Sequence, residues 1–165
     1  PKLAKTLGKP EDDAQKLYDA FWLGNPSLAA LRDKLTLEWE KKNGKAYVTG
    51  IDGRKVRTRK KSALLNSLFQ STGAIAMDYA GCFMDKWLGG IKWDNKFLPY
   101  YNYKGYVVKR IGFYHDEYEF ECPVEIAEEV GKMIELSIKK AGELLKLNVP
   151  LKGEAKIGLN WKETH

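Results

Sequence analysis

Phe113-Tyr114-His115-Asp116-Glu117-Tyr118-Glu119-Phe120-Glu121-Cys122 is the run from which the rest of the chain can be placed. An apolar segment, Gly105 to Tyr114, leads into the polar tripeptide His115-Asp116-Glu117. A strict alternation leaves it, with Tyr118, Phe120 and Cys122 on one side and Glu119 and Glu121 on the other. An apolar run on one side of a polar break and period-two alternation on the other predict a β-hairpin with one buried face. Its tip is unusual turn chemistry, because neither Gly nor Asn supplies the reversal. A carboxylate at a hairpin tip is firmly aimed, and a hard cation such as Mg²⁺ takes such oxygens together with substrate phosphates. The tip is therefore a candidate metal site, with a solvated turn as the competing reading.

The chain has 165 residues, 44% hydrophobic and 12% aromatic, enough to bury one substantial core, so a single domain is expected. No apolar run approaches the roughly 20 residues of a membrane span, and the Lys-rich start lacks the apolar segment of a signal peptide. Cys82 and Cys122 form neither a metal spacing nor a disulfide framework, which points to the reducing cytoplasm. Two histidines leave little room for a His-based zinc site. The net charge of +6 is unevenly spread. Arg54-Lys55-Val56-Arg57-Thr58-Arg59-Lys60-Lys61 is basic at six of eight positions, whereas Glu117 to Glu129 is acidic. Such a basic run is either a solvated face or, beside a Mg²⁺ site, a phosphate track that gains from counterion release.

Along the chain, Pro10-Glu11-Asp12-Asp13 opens a helix with acids in its first turn and Leu17, Tyr18, Phe21 and Trp22 at helical spacing, ending near Gly24. Asn25-Pro26 then caps and starts a second, with Leu28, Leu31, Leu35 and Trp39 on one face up to Asn43-Gly44. Ala46 to Thr49 and Lys55 to Thr58 are short strand-like arms around Gly50-Ile51-Asp52-Gly53, so the basic run sits on a hairpin arm. A long helix covers about Ser62 to Leu88 and is closed by Gly89-Gly90. On it Asn66 and Gln70 share a face, and small residues such as Ser62 and Gly73 leave room for close approach. Lys92 to Lys104 reads as a connector of open shape. Beyond the central hairpin, Pro123 starts a helix to about Lys146, with Ile126, Val130, Met133, Ile134, Ile138 and Ala141 inward. Val149 to Leu151 and Ala155 to Leu159 read as one or two strands. The order predicts an α+β fold, helices on an antiparallel sheet.

Taken together, Thr49-x-x-x-Gly53-Arg54-Lys55, Asn66-x-x-x-Gln70-Ser71-x-Gly73-Ala74, His115-Asp116-Glu117 and Gly158-x-Asn160-Trp161 ending in His165 resemble the C-terminal part of family A DNA polymerases, above all the short phage enzymes related to bacterial DNA polymerase I. Asn25-Pro26-Ser27-Leu28-Ala29-Ala30-Leu31-Arg32 extends the resemblance to the early chain. It implies an incomplete polymerase domain: residues 1–45 as helices following a fingers helix, and 46–165 as a palm portion with an antiparallel palm-type sheet flanked by helices. It makes Asp116 a catalytic ligand of two Mg²⁺ ions, Glu117 an auxiliary catalytic carboxylate and His115 a contact to the primer terminus. Asn66 and Gln70 would reach the minor groove at the newest base pair, where purine N3 and pyrimidine O2 are common acceptors. Arg54, Lys55 and Arg57 would hold phosphates of the primer-template duplex. Implied partners are primer-template DNA, deoxynucleoside triphosphates and an upstream polymerase segment or separately encoded chain, in the host cytoplasm if phage-encoded.

The sequence departs from the family pattern in places. Ser62 stands where Arg or His usually contacts the primer, with Lys60 or Lys61 as substitutes, and Tyr114 replaces a small apolar residue before the histidine. The first palm motif, with the other catalytic aspartate, and the fingers helix are expected before Pro1. A two-metal site needs carboxylates on both sides of ions roughly 3.5–4 Å apart. The isolated chain is therefore expected not to polymerise. The competing readings are a non-catalytic DNA-binding module derived from a palm, and a small metal-dependent nuclease. The nuclease would require more converging acids than Asp116 and Glu117.

Overall fold

The computed structural model describes residues 2–41, 47–93 and 99–164. Pro1, the expected helix end at Asn43-Gly44, the strand start at Ala46 and the terminal His165 lie outside them. The chain divides into two compact units, Pro1–Thr49 with Lys55–Phe69, and Gly50–Arg54 with Gln70–His165.

In the first unit, α1 (Lys2–Leu7) precedes α2 (Glu11–Gly24) and α3 (Pro26–Lys41). Glu11, Asp12 and Asp13 occupy the first turn of α2, where the partial positive charge of unpaired N–H groups favours them. Asn25 serves both neighbouring helices. Its side-chain amide donates to the Phe21 carbonyl at 2.7 Å, and its own carbonyl accepts the Ala29 N–H at 3.0 Å. Of α2 only Ala14 is fully buried; Leu17, Tyr18 and Phe21 stay exposed. The hairpin arms are β1 (Tyr47–Thr49) and β2 (Lys55–Arg57), paired antiparallel with Val48 opposite Val56.

In the second unit four antiparallel strands run in the order β3 (Lys92–Trp93), β4 (Pro99–Tyr103), β5 (Tyr106–Tyr114), β6 (Glu117–Glu121). The fold is thus α+β, as the pattern predicted. The segment read as a connector instead supplies two strands. β4 is joined to β5 by Lys104-Gly105, both at positive φ (53° and 85°), the backbone a primed two-residue hairpin turn requires. The aromatic content of Pro99–Tyr103 was the available strand signal.

The long helix forms as α4 (Leu64–Trp87), entered through a 3₁₀ turn at Lys61–Ala63. Gly89 and Gly90 stop it at φ 87° and 88°, with the Gly90 N–H donating to the Asp85 carbonyl at 2.7 Å. Met84 and Leu88, at the C-terminal end of the α4 region, join Tyr101 and Val108 of the sheet and Ile126 and Val130 of α5 (Val124–Leu144) in one buried cluster. Phe120 and Cys122 pack against it, which confirms the predicted inner face of β6.

The closing strands do not form. Residues 149–159 carry no regular structure and lie along α5. A Cβ added at Gly131 would sit 3.1 Å from Ala155, one at Gly142 3.0 Å from Leu151, and one at Gly153 2.6 Å from Ile138. A side chain replaces the strand partner, as the Ala155 N–H donates to Glu135 Oε1 at 2.9 Å. After it α6 (Trp161–Thr164) is capped by Glu163, which accepts from the Leu159 N–H at 2.8 Å and the Asn160 amide at 2.6 Å.

Candidate catalytic tip and nucleic-acid interface

The tip is a two-residue turn. Tyr114 pairs with Glu117, and His115-Asp116 make the reversal. His115 lies at φ 56°, a left-handed conformation that His enters more readily than most residues. His115, Asp116 and Glu117 are all exposed. The His115 ring meets the Tyr114 ring edge-on, centroids 4.5 Å apart. Asp116 and Glu117 are thus adjacent carboxylates at the end of a sheet, a donor set that fits a hard, oxygen-seeking cation. Among the described residues no group of three His, Cys, Asp or Glu side chains converges as a metal cage, so the pair would be one part of a larger ligand set.

Aromatic packing supports the turn. Phe113 and Tyr118, a cross-strand pair one step from Tyr114 and Glu117, stack at 4.6 Å. A register shift between Arg110 and Gly112 places them there. Arg110 faces Phe120 before the bulge and Phe113 faces Tyr118 after it, with Ile111 left between. Without that extra residue Phe113 would point away from Tyr118. The signal was a glycine, Gly112, inside a strand pattern.

Beneath the hairpin lies a polar cluster that the motifs did not reveal. The Tyr118 hydroxyl donates to the Met77 carbonyl of α4 at 2.6 Å, and the Tyr101 hydroxyl donates to Asp85 Oδ1 at 2.6 Å. Arg110 Nη1 lies 3.5 Å from the same Asp85 oxygen, its guanidinium 5.9 Å from the Tyr118 ring. Burial pushes the Tyr118 phenol up to about 12, against the opposing pull of Arg110. Tyr101 is raised too, first by burial and then by its bond to Asp85.

The expected DNA contacts fall into groups. Lys55 and Arg57 alternate with the half-buried Val56 and both point to solvent, with the Lys55 ammonium 4.8 Å from the Tyr47 ring. Asn66 and Gln70 are exposed on α4, four residues apart and hence on one face. Arg54 is engaged within the protein. Its Nε donates to Asp52 Oδ2 at 2.7 Å and its Nη1 to Asp78 Oδ2 at 3.2 Å. Those carboxylates raise the Arg54 pKa, Asp52 foremost. Burial pushes the Asp52 carboxyl up, but the Arg54 backbone N–H and guanidinium outweigh it and hold the group below its ordinary range.

The class these features suggest is matched by comparison with known proteins: the relatives of this chain are DNA-directed DNA polymerases. The chain is 33% identical over 171 residues to the DNA-directed DNA polymerase of Escherichia phage Phieco32, covering 99% of this chain and 25% of that protein. It is 28% identical over 180 residues to that of Escherichia phage T7, covering 99% of this chain and 24% of the enzyme. To the DNA polymerase I of Aquifex aeolicus it is 27% identical over 150 residues, covering 91% of this chain and 24% of that protein. The chain therefore spans about a quarter of the length of the curated relatives it matches. No protein-family model matches it. Among the described residues no helix is long and apolar enough to cross a membrane.

Proposed function

We propose that the chain is the C-terminal segment of a phage-type family A DNA polymerase. In this reading residues 1–45 follow the fingers helix, and 46–165 form the palm portion that carries its second catalytic motif. The observation that carries the reading is the His115-Asp116 turn, which sets two adjacent carboxylates at a hairpin end in a chain similar over nearly its whole length to DNA polymerases. Asp116 would hold Mg²⁺, with Glu117 as the auxiliary carboxylate and His115 at the primer terminus. Mg²⁺ held there would activate the primer 3′-hydroxyl and stabilise the leaving pyrophosphate. The chain's own part is to aim these groups, and the second catalytic aspartate comes from outside these residues, so the chain alone does not polymerise.

Asn66 and Gln70 test the newest base pair through acceptors shared by all correct pairs, which selects for pair shape without reading sequence. Lys55 and Arg57 neutralise duplex phosphates, and Arg54 joins them by exchanging its bond to Asp78 for a phosphate. The substrates are primer-template DNA and deoxynucleoside triphosphates, and the setting is the host cytoplasm. Replacing Asp116 by Ala in the complete enzyme tests this reading: primer extension should fall by at least ~10³-fold, with duplex affinity changed less than about twofold. Extension at the unsubstituted rate would refute the assignment. Unchanged duplex binding by a protein that never extends a primer would favour the DNA-binding module.

A further inference from the structure

Gly81 is buried in the interior of α4, a poor place for glycine unless something needs the space. Something does. A Cβ on Gly81 would come 2.6 Å from the Tyr118 hydroxyl and 3.4 Å from both the Tyr118 Cζ and Arg110 Nη1. The hydroxyl that fills this notch donates to the Met77 carbonyl one helical turn earlier, using a lone pair left over from the helix's own hydrogen bond. The same ring stacks on Phe113, across the strand pair next to the one that closes the tip. The two ends of the phenol are thus fixed to different elements. One is locked to the helix backbone, and the other lies one residue from Glu117 and two from Asp116.

A hairpin end frays unless something outside the pair of strands restrains it. We infer that Tyr118 is a positioning residue: seated in the Gly81 notch of α4, it fixes the backbone of the turn that presents Asp116. This rests on the reading of Asp116 as the catalytic carboxylate. Displacing such a group by about an ångström is enough to cost on the order of 10²-fold in rate, so a single tether matters.

Three variants test the inference in the complete protein that carries this sequence: Tyr118→Phe, which keeps the ring and removes only the hydroxyl, Gly81→Ala, which drives the hydroxyl from its notch, and the two combined. Hydrogen exchange over residues 110–121 and steady-state primer extension are the readouts. Tyr118→Phe should raise exchange at the tip by roughly fivefold or more with the rest of the sheet unchanged. It should lower kcat by about tenfold and leave KM for DNA within about twofold. Gly81→Ala should do the same. Because both act through one contact, Gly81→Ala should add little in the Tyr118→Phe background. Unchanged tip exchange in Tyr118→Phe, exchange raised equally throughout the sheet, or additive effects in the double variant would each overturn the inference. Asp116→Ala as a control separates the two levels. If it abolishes extension while Tyr118→Phe leaves kcat intact, the positioning role alone falls. If it leaves extension intact, the reading of Asp116 falls and the positioning role with it.

Discussion

At His115 the backbone enters the left-handed region at φ 56° although the residue is not glycine. His tolerates that conformation, whereas a β-branched residue clashes with its own backbone there. His115→Val should therefore destabilise the hairpin by about 1–2 kcal/mol, and His115→Gly should be close to neutral in thermal unfolding. Any loss of primer extension in His115→Gly then reports the imidazole and not the fold. Asp52 gives a pH-dependent counterpart. Its folded pKa lies below the ordinary 3.8, so its contribution to stability is present above that value and is lost as pH falls through the lower folded one. Asp52→Asn should flatten the acid limb of thermal stability below the ordinary carboxylate value of 3.8. Tyr118 acts in the opposite direction. Its contribution is intact below the unfolded value of 10.0 and is lost as pH rises toward about 12, so tip protection should decline only in strong base.

Among the elements, the basic hairpin carries the clearest electrostatic expectation. Lys55→Ala and Arg57→Ala should each flatten the dependence of log Kd on log salt by about one, equally for every duplex sequence. Arg54→Ala should flatten it less, since Asp52 and Asp78 already neutralise that guanidinium. Asp78→Asn should tighten duplex binding by releasing it. Under the sheet, Leu88 is fully buried in the cluster with Met84, Tyr101 and Val108, so Leu88→Ala should cost about 2–5 kcal/mol in denaturant unfolding.

The central hairpin, the inward face of β6 and the long helices were legible in the sequence because period and capping are local. What was not legible depended on distant partners. Pro99–Tyr103 becomes a strand by pairing with Lys92–Trp93 on one side and Tyr106–Lys109 on the other, and the segment after Val149 fails to become one because it meets α5 and not a strand edge. At the candidate site, His115, Asp116 and Glu117 were visible as a motif. The tether of Tyr118 to Met77 was not, because no spacing rule links residues 41 apart in sequence.

For the molecule as a whole, the similarity covers nearly all of this chain but a quarter of each relative. In the proposed reading, the two adjacent carboxylates of the tip would supply one side of a two-metal site. The most direct measurement is primer extension with Mg²⁺ and all four deoxynucleotides, by this chain alone and mixed with a fragment carrying the first palm motif and the fingers of a related polymerase. The account predicts extension in the mixture only, abolished by Asp116→Ala. Extension by the chain alone, or by the mixture carrying Asp116→Ala, would contradict it.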